Sequence, residues 1–348
     1  MQNNSKIEWP IELILEAGVN HEGLLENALK MIEQAAQLNV KAIKFQTYNA
    51  NTLASKNSPS YWDTNKESAT NQYDLFSKFD KFSLQDYKIM WEACKSQGIE
   101  FATTVFSLDL LDSLDEFLNF YKIASADLTN YSLVREIAKR KKPIILSTGA
   151  STFDEIKDTL YEIYNLNANA EITLLHCVLN YPTEISNANI LRIKHLESSF
   201  PSLVIGYSDH TISENSKFVV GLAVALGAKV VETHFTLNKN WKGNDHYHAL
   251  DFEDVLELNS YLKLTNDALV YSENRFLEVQ TLARKFARRG VYAARKIPQH
   301  KIVTYDDLIC LRPQVEGSYT SEQIDSIVGK KTVIDIQAGE SITFSSIN

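Results

Sequence analysis

Cysteine is scarce in this chain. Its three copies, Cys94, Cys177 and Cys310, are odd in number and far apart, which excludes a disulfide framework and a structural zinc site built on paired thiolates. That usage fits a reducing compartment, and a cytoplasmic location is expected. Long apolar runs are absent too. No segment approaches 18 apolar residues, and the opening stretch MQNNSKIEWPIELILEAG has neither the basic start nor the uninterrupted apolar core of a secretory signal, so no membrane partner is expected. Positive charge is in deficit, with 35 Lys and Arg against 44 Asp and Glu. A nucleic-acid or anionic-membrane surface needs clustered cations, so neither is expected, and an anionic ligand would need a local pocket of Lys, Arg or metal. Prolines number only 7 and no low-complexity stretch occurs, which argues against disorder. No glycine-rich phosphate loop follows the first apolar run, which argues against a doubly wound dinucleotide fold.

What is present is a repeat. Short runs rich in Ile, Val, Leu and Phe recur over the first 235 residues: IELILEAG, VKAIKFQT, IEFATTVF, FYKIASAD, KPIILSTG, EITLLHCV, LVIGYSDH and KVVETHFT. Such continuous runs suit strands buried on both faces of a parallel sheet. The segments between them carry helical spacing at 24–38, 84–97, 132–140, 153–164 and 215–226. Eight strand-helix repeats predict a (β/α)8 TIM barrel, which takes roughly 250 residues. With 348 residues in all, a barrel plus one small partner domain fits.

Polar residues gather at one end of these runs. The strands finish in Glu16, Asn20 and His21; Lys44 and Gln46; Thr104; Lys122, Ser125 and Asp127; Ser147 and Thr148; Tyr181; Ser208, Asp209 and His210; Glu232 and His234. Those positions converge on the C-terminal mouth of a barrel, where active sites of this fold are built. Any one of them could be a cap or a solvated loop residue, but the set together points to a site. Lys44 and Lys122, with Thr104, Ser125, Ser147 and Ser208 as hydroxyl donors, suit a phosphate and a carboxylate. His210 and His234 close neighbouring strands, so their imidazoles could share one divalent metal. The polar, aromatic stretch 49–82 is too long for an ordinary βα loop and is expected to cover the mouth as a lid. After residue 271 the segment ENRFLEVQTLARKFARRG becomes basic and leads into a short-stranded region.

Read in order, EAGVNHEG, IKFQT, KIAS, LSTG, GYSDHT, ETHFT and GNDH resemble the motif series of the sialic acid synthase family, which includes the pseudaminic and legionaminic acid synthases. The resemblance runs nearly end to end. RRGVYAARKIPQHKIVTYDDLICLRP and IVGKKTVIDIQAGESIT are similar to that family's C-terminal antifreeze-like domain, the SAF domain, a β-clip fold. It implies a TIM-barrel catalytic domain over 1–272, a linker over 273–289 and an SAF domain over 290–348. It also implies condensation of phosphoenolpyruvate with N-acetylmannosamine or a related amido hexose, giving a 3-deoxy-2-keto sugar acid and phosphate. On this resemblance His210 and His234 match ligands of Mn2+ or Mg2+, acting as a Lewis acid on the sugar aldehyde. Lys44, Thr104, Lys122, Ser125, Ser147 and Ser208 match phosphoenolpyruvate contacts. Glu16 matches the carboxylate that handles protons, with Glu232 as a second catalytic carboxylate. Gln46, Asp127, Tyr181 and Asp245 match sugar contacts. Arg312 matches an arginine that one subunit inserts into its partner's active site, implying a domain-swapped homodimer.

The chain departs from the family pattern in places. KIASAD stands where KIGSGE is usual, so Asp127 is one methylene shorter than the glutamate expected there. Leu179 stands where an asparagine is often found, and QVEGS replaces a glycine-rich turn after LRP. GNDHYHAL adds His246 and His248, expected to be solvated or sugar-facing, with extra metal ligation as the other reading. A legionaminate or pseudaminate synthase, taking a diacetamido-dideoxy hexose, is the alternative. Another phosphoenolpyruvate-dependent 3-deoxy-ulosonate synthase is a more distant one, because a phosphorylated sugar needs an arginine-rich pocket and arginine is concentrated near residues 284–295 instead. A carbohydrate-binding module on an inert barrel would not keep the metal and phosphate candidates.

Overall fold

Each of the eight apolar runs forms a strand in the computed structural model, which describes residues 11–348 apart from 63, 65, 66, 244 and 271. The strands are β1 (Glu12–Gly18), β2 (Ala42–Thr47), β3 (Glu100–Val105), β4 (Tyr121–Ile123), β5 (Ile144–Ser147), β6 (Ile172–His176), β7 (Val204–Asp209) and β8 (Val230–His234). They close in sequence order into a parallel barrel, with β1 pairing β8 from Glu12↔Val230 to Glu16↔His234. Helices at Leu25–Ala36, Leu84–Gln97, Tyr131–Lys139, Phe153–Leu166 and Ser213–Ala225 fall where the spacing predicts them. Two of their starts show why. Ser83 with Asp86, and Thr152 with Glu155, form capping boxes that satisfy the first free N–H groups.

Strand pleating sorts the side chains into two cores. Outward residues such as Leu13, Leu15, Ile43, Phe45 and Val231 pack against the helices in the large cluster. Inward residues Ile14, Ala42, Ala102, Phe120, Ile145, Leu175 and Val230 form a separate plug inside the barrel. Two positions further along six of these strands the inward face turns polar. Ile14 is followed by Glu16, Ala42 by Lys44 and then Gln46, Ala102 by Thr104, Phe120 by Lys122, Ile145 by Ser147, and Val230 by Glu232 and then His234. The period of two thus builds a polar floor directly on an apolar plug.

The stretch 49–82, expected as a lid, is partly helical. It holds Ala50–Leu53 and Gln72–Phe79, the latter capped by Asn71, whose side chain accepts from Asp74 N. Leu75 and Phe79 anchor it on Val19 and Tyr48 in a small cluster that also takes in Leu53, Trp62 and Phe76. Apolar residues at helical spacing were hidden there among polar ones.

Two compact units divide near residue 270, so 273–289 groups with the C-terminal unit, where it forms the helices Glu273–Glu278 and Thr281–Ala287. That unit pairs β9 (Gly290–Ala293) with β10 (Leu308–Leu311) antiparallel and has its own core, including Val291, Ile297, Val303, Ile327, Ile336 and Ile342. Among the described residues, no helix is long and apolar enough to cross a membrane.

Candidate active site

Barrel register decides which polar residues meet. Glu16 stands opposite Lys44 on one side and His234 on the other; Gln46 pairs with Thr104, Thr104 with Lys122, and Ser208 with Glu232. A cavity of about 440 Å³ opens above this floor. Of the predicted barrel residues, Glu16, Lys44, Gln46, Thr104, Lys122, Ser125, Asp127, Ser147, Tyr181, Ser208, His210, Glu232 and His234 all line it. Asp245 does not; it lines an adjoining cavity that shares Gln46, Tyr61, Phe76, Tyr181 and His234 with the first.

The floor is an ion-paired network. Lys44 Nζ contacts a Glu16 carboxylate oxygen, donates to Thr104 Oγ1 at 3.2 Å and lies 3.7 Å from Glu232 Oε2. Lys122 Nζ and Ser208 Oγ both donate to Glu232 Oε1, at 3.2 and 3.1 Å. Burial disfavours the Lys44 ammonium, but the charges of Glu16 and Glu232 outweigh it and raise its pKa. Burial likewise opposes the Glu232 carboxylate, yet Lys122 and Lys44 hold its pKa below the usual range. Both amino groups are held in place by carboxylates, while Ser147 Oγ, buried on the same floor, has no hydrogen-bond partner in the protein. That combination is a ready anion site.

Glycine shapes two approaches to it. A Cβ on Gly149 would stand 2.8 Å from Ser125 Oγ and 2.9 Å from Cys177 Sγ, and Gly149 N donates to Ser125 Oγ at 2.9 Å. Only glycine lets the loop after β5 lie against that hydroxyl. Gly18 has φ +52, and a Cβ there would meet Glu16 Oε1, Asp245 Oδ2 and Gln46 Nε2 at 3.3 to 3.5 Å. Those three groups border the same gap.

Histidines gather around the ends of β7 and β8. His234 Nδ1 lies 3.6 Å from Asp245 Oδ2, and His248 Nε2 lies 3.8 Å from Asp245 Oδ1, separations beyond hydrogen bonding. Together these three could hold a metal ion. His210 is outside that group but next to it, its ring centroid 5.4 Å from that of His234; its Nδ1 is 2.6 Å from Val178 O, which leaves Nε2 toward Ser208 Oγ at 3.4 Å. Burial works against the charged His234 ring, but Asp245 raises its pKa; His210 and His248 are lowered to about 3, chiefly by burial and then by His234. Buried imidazoles without partners beside a carboxylate fit a divalent cation in donor type and charge.

Of the two expectations for His246 and His248, the solvated one is corrected by their burial. His246 is wholly buried, its two nitrogens 2.7 Å from Thr236 Oγ1 and 2.8 Å from Glu22 Oε1. His248 is buried with both nitrogens unpartnered. Other strand-end residues are structural. Asn20 donates to Phe235 O, His21 stacks on Phe82, Thr148 donates to Leu175 O, and Asp209 accepts from Tyr207 and Thr211. Sequence reading also missed Gly149 and Cys177, and the lining that Leu53, Tyr61, Gln72 and Phe76 supply from the insertion. Arg312 belongs to the C-terminal unit, where it is exposed.

Comparison with known proteins agrees with this geometry. Residues 31–274 match the NeuB family and residues 288–348 an SAF domain. The chain is 33% identical over 343 residues to N,N'-diacetyllegionaminic acid synthase of Legionella pneumophila, covering 96% of this chain and 94% of that protein. It is 30% identical over 336 residues to human N-acetylneuraminate-9-phosphate synthase, covering 96% and 92%. Among solved structures, the N-acetylneuraminic acid synthetase of Leptospira borgpetersenii superposes with a TM-score of 0.69 at 29% identity, covering 80% of this chain and 93% of that one. With a barrel and an SAF domain in the family's order, the chain belongs to the NeuB family.

Proposed function

We propose that the chain is a nonulosonic acid synthase. The methylene carbon of phosphoenolpyruvate bonds to the aldehyde carbon of an open-chain acetamido hexose, water adds at C2, and cleavage of the C2–O bond releases phosphate and leaves a 3-deoxy-2-keto acid. The observation that carries this reading is one cavity that brings two lysines and a set of hydroxyls together with His210 and His234, the latter also bordering the carboxylate of Asp245.

Lys44 and Lys122, with Thr104, Ser125, Ser147 and Ser208, bind the phosphate and carboxylate of phosphoenolpyruvate. In doing so the lysines exchange part of their contact with Glu16 and Glu232 for the substrate anion. Glu232 orients both ammonium groups from below. Glu16, with Gln46 Nε2 donating to its Oε1 at 3.0 Å, is placed beside Gly18 to hold or move a proton at the sugar. A divalent ion, Mn2+ or Mg2+, taken by His234 with His210 or the Asp245 group, supplies Lewis acidity at the aldehyde oxygen. Gln46, Asp127, Tyr181 and Asp245 face the acceptor. Burial raises the Asp127 pKa.

A specific observation favours an acceptor with apolar substituents over plain N-acetylmannosamine. The adjoining cavity, about 120 Å³, is walled by Tyr48, Trp62, Leu75, Phe76 and Phe79 next to Tyr181 and Asp245. Such a surface accepts a deoxy methyl or a second acetamido methyl better than a hydroxyl, as the legionaminate-type acceptor would present. Arg312 is proposed to act in the active site of a partner subunit in a homodimer. Mixing Arg312→Ala with His234→Ala subunits should then restore activity, and none returns if Arg312 works otherwise.

The test is incubation with phosphoenolpyruvate, Mn2+ and a panel of N-acetylmannosamine and diacetamido-dideoxy hexoses, following phosphate. Acceptor-dependent release supports the reading. Release that ignores the sugar, or none with any acceptor, overturns it.

A further inference from the structure

The segment after β8 is clamped to the barrel. Leu250 N donates to His234 O at 2.8 Å, and Ala249 N and His248 N return to Asp245 O at 3.1 and 3.3 Å. This single turn puts Asp245 and His248 three residues apart on one face. Its neighbours are pinned elsewhere: His246 to Thr236 and Glu22, and Tyr247, whose hydroxyl donates to Tyr181 O at 2.9 Å. His248 alone of the three aims its ring at His234, with centroids 4.9 Å apart, and neither of its nitrogens has a partner.

We propose that His248 is a further protein ligand of the divalent cation, joining Asp245 beside the histidines at the ends of β7 and β8, His210 and His234. An unpartnered buried imidazole is unfavourable, and structures rarely keep one without a use. The spacing agrees. Two donors on one ion, each bonded at about 2.0 to 2.2 Å, stand roughly 3 to 3.5 Å apart, so the carboxylate separations of 3.6 and 3.8 Å to the two rings need only slight contraction. The carboxylate offers a different oxygen to each ring, and the three donor atoms all lie within 4.8 Å of one another. A further nitrogen donor also tilts the site away from Mg2+ toward Mn2+ and later first-row metals, because imidazole is the softer ligand.

This inference rests on reading the cavity as a metal-dependent site, but its test does not use turnover. Metal-free protein is titrated with Mn2+ alone, and the nitrogens coupled to the bound ion are counted by pulsed electron paramagnetic resonance. His248→Phe keeps an aromatic ring packed on Tyr247 and removes both nitrogens, with the fold checked by circular dichroism and Tm. Mn2+ affinity should fall at least tenfold and one imidazole coupling should vanish, as in His234→Ala, while exposed His195→Ala changes neither. Unchanged affinity and an unchanged nitrogen count in His248→Phe would overturn the assignment. If that variant does not fold, His248→Gln is read in the same way. A wild type that binds Mn2+ through His248 yet condenses no substrate would sink the synthase reading and leave this one standing.

Discussion

Lys122 Nζ reaches across the barrel from β4 to lie 3.2 Å from Glu232 Oε1 on β8, joining strands four places apart in a ring of eight. The pair is almost wholly buried, and Lys44 and Ser208 converge on the same carboxylate. Glu232 therefore competes with any anion for both lysines. In Glu232→Gln that competition weakens, so the KM for phosphoenolpyruvate should fall severalfold, an effect on the order of 1 kcal/mol, while kcat drops because the ammonium groups lose their orienting partner. Steady-state kinetics check this; a raised KM with unchanged kcat would contradict it.

Lysine and serine should separate binding from stability. Lys44→Met or Lys122→Met should raise the KM for phosphoenolpyruvate far more than that for the sugar, each charge-assisted contact being worth about 1.5 to 3 kcal/mol. Ser147→Ala deletes a hydroxyl with no partner in the protein. Its Tm should hold, while the same KM rises about fivefold, close to 1 kcal/mol. A fall in Tm without a change in KM would make Ser147 a structural residue.

Removing metal should stop the reaction without unfolding the chain. Exhaustive chelation should cost a thousandfold or more in rate, several kcal/mol of transition-state stabilisation, and Mn2+ should restore it. His210→Ala and His234→Ala should resist that restoration at ordinary Mn2+ concentrations. Full turnover after chelation would be incompatible with the proposed role of the ion.

The C-terminal unit carries its own electrostatic anchor. Asp307, inaccessible to solvent, accepts from Lys301 Nζ at 2.6 Å, Arg295 Nε at 2.8 Å and the Thr304 hydroxyl and N–H at 2.9 and 3.0 Å. Burial opposes its charge, but Lys301 and Arg295 with the Thr304 bonds outweigh it and hold its pKa well below the ordinary value. A depressed folded pKa contributes stability fully above the unfolded value of about 3.9 and loses it as pH falls through the folded value. Asp307→Asn should cost about 2 to 4 kcal/mol near neutrality, and the penalty should shrink in acid. Thermal melts of this unit between pH 7 and pH 3 check it; a pH-independent penalty would contradict the charge argument.

Much of this was legible in the sequence because a parallel barrel leaves a simple trace. β7 and β8 are near-continuous apolar runs ending in SDH and ETH, and closure of the barrel brings those endings together. Register did the rest, setting Glu16 between Lys44 and His234. What stayed hidden depended on turns rather than strands. His246 and His248 look alike in GNDHYHAL, and only the clamp on β8 sends one to Thr236 and the other to His234. Asn20 and Asp209 sit at strand ends like the site residues but are consumed by local hydrogen bonds. The helix Gln72–Phe79 was masked by polar residues on its outer face, and its apolar contribution to the acceptor side became visible only in the folded chain.

The central claim is that this cavity joins phosphoenolpyruvate to a sugar with cleavage at carbon rather than at phosphorus. Phosphoenolpyruvate carrying 18O in its bridging position, incubated with the chain, Mn2+ and an acetamido hexose acceptor, tests it most directly by mass spectrometry of both products. The account predicts 18O in the released phosphate and a 3-deoxy-2-keto acid formed in equal amount. Label retained in the organic product, or phosphate released with no carbon–carbon bond formed, would contradict it.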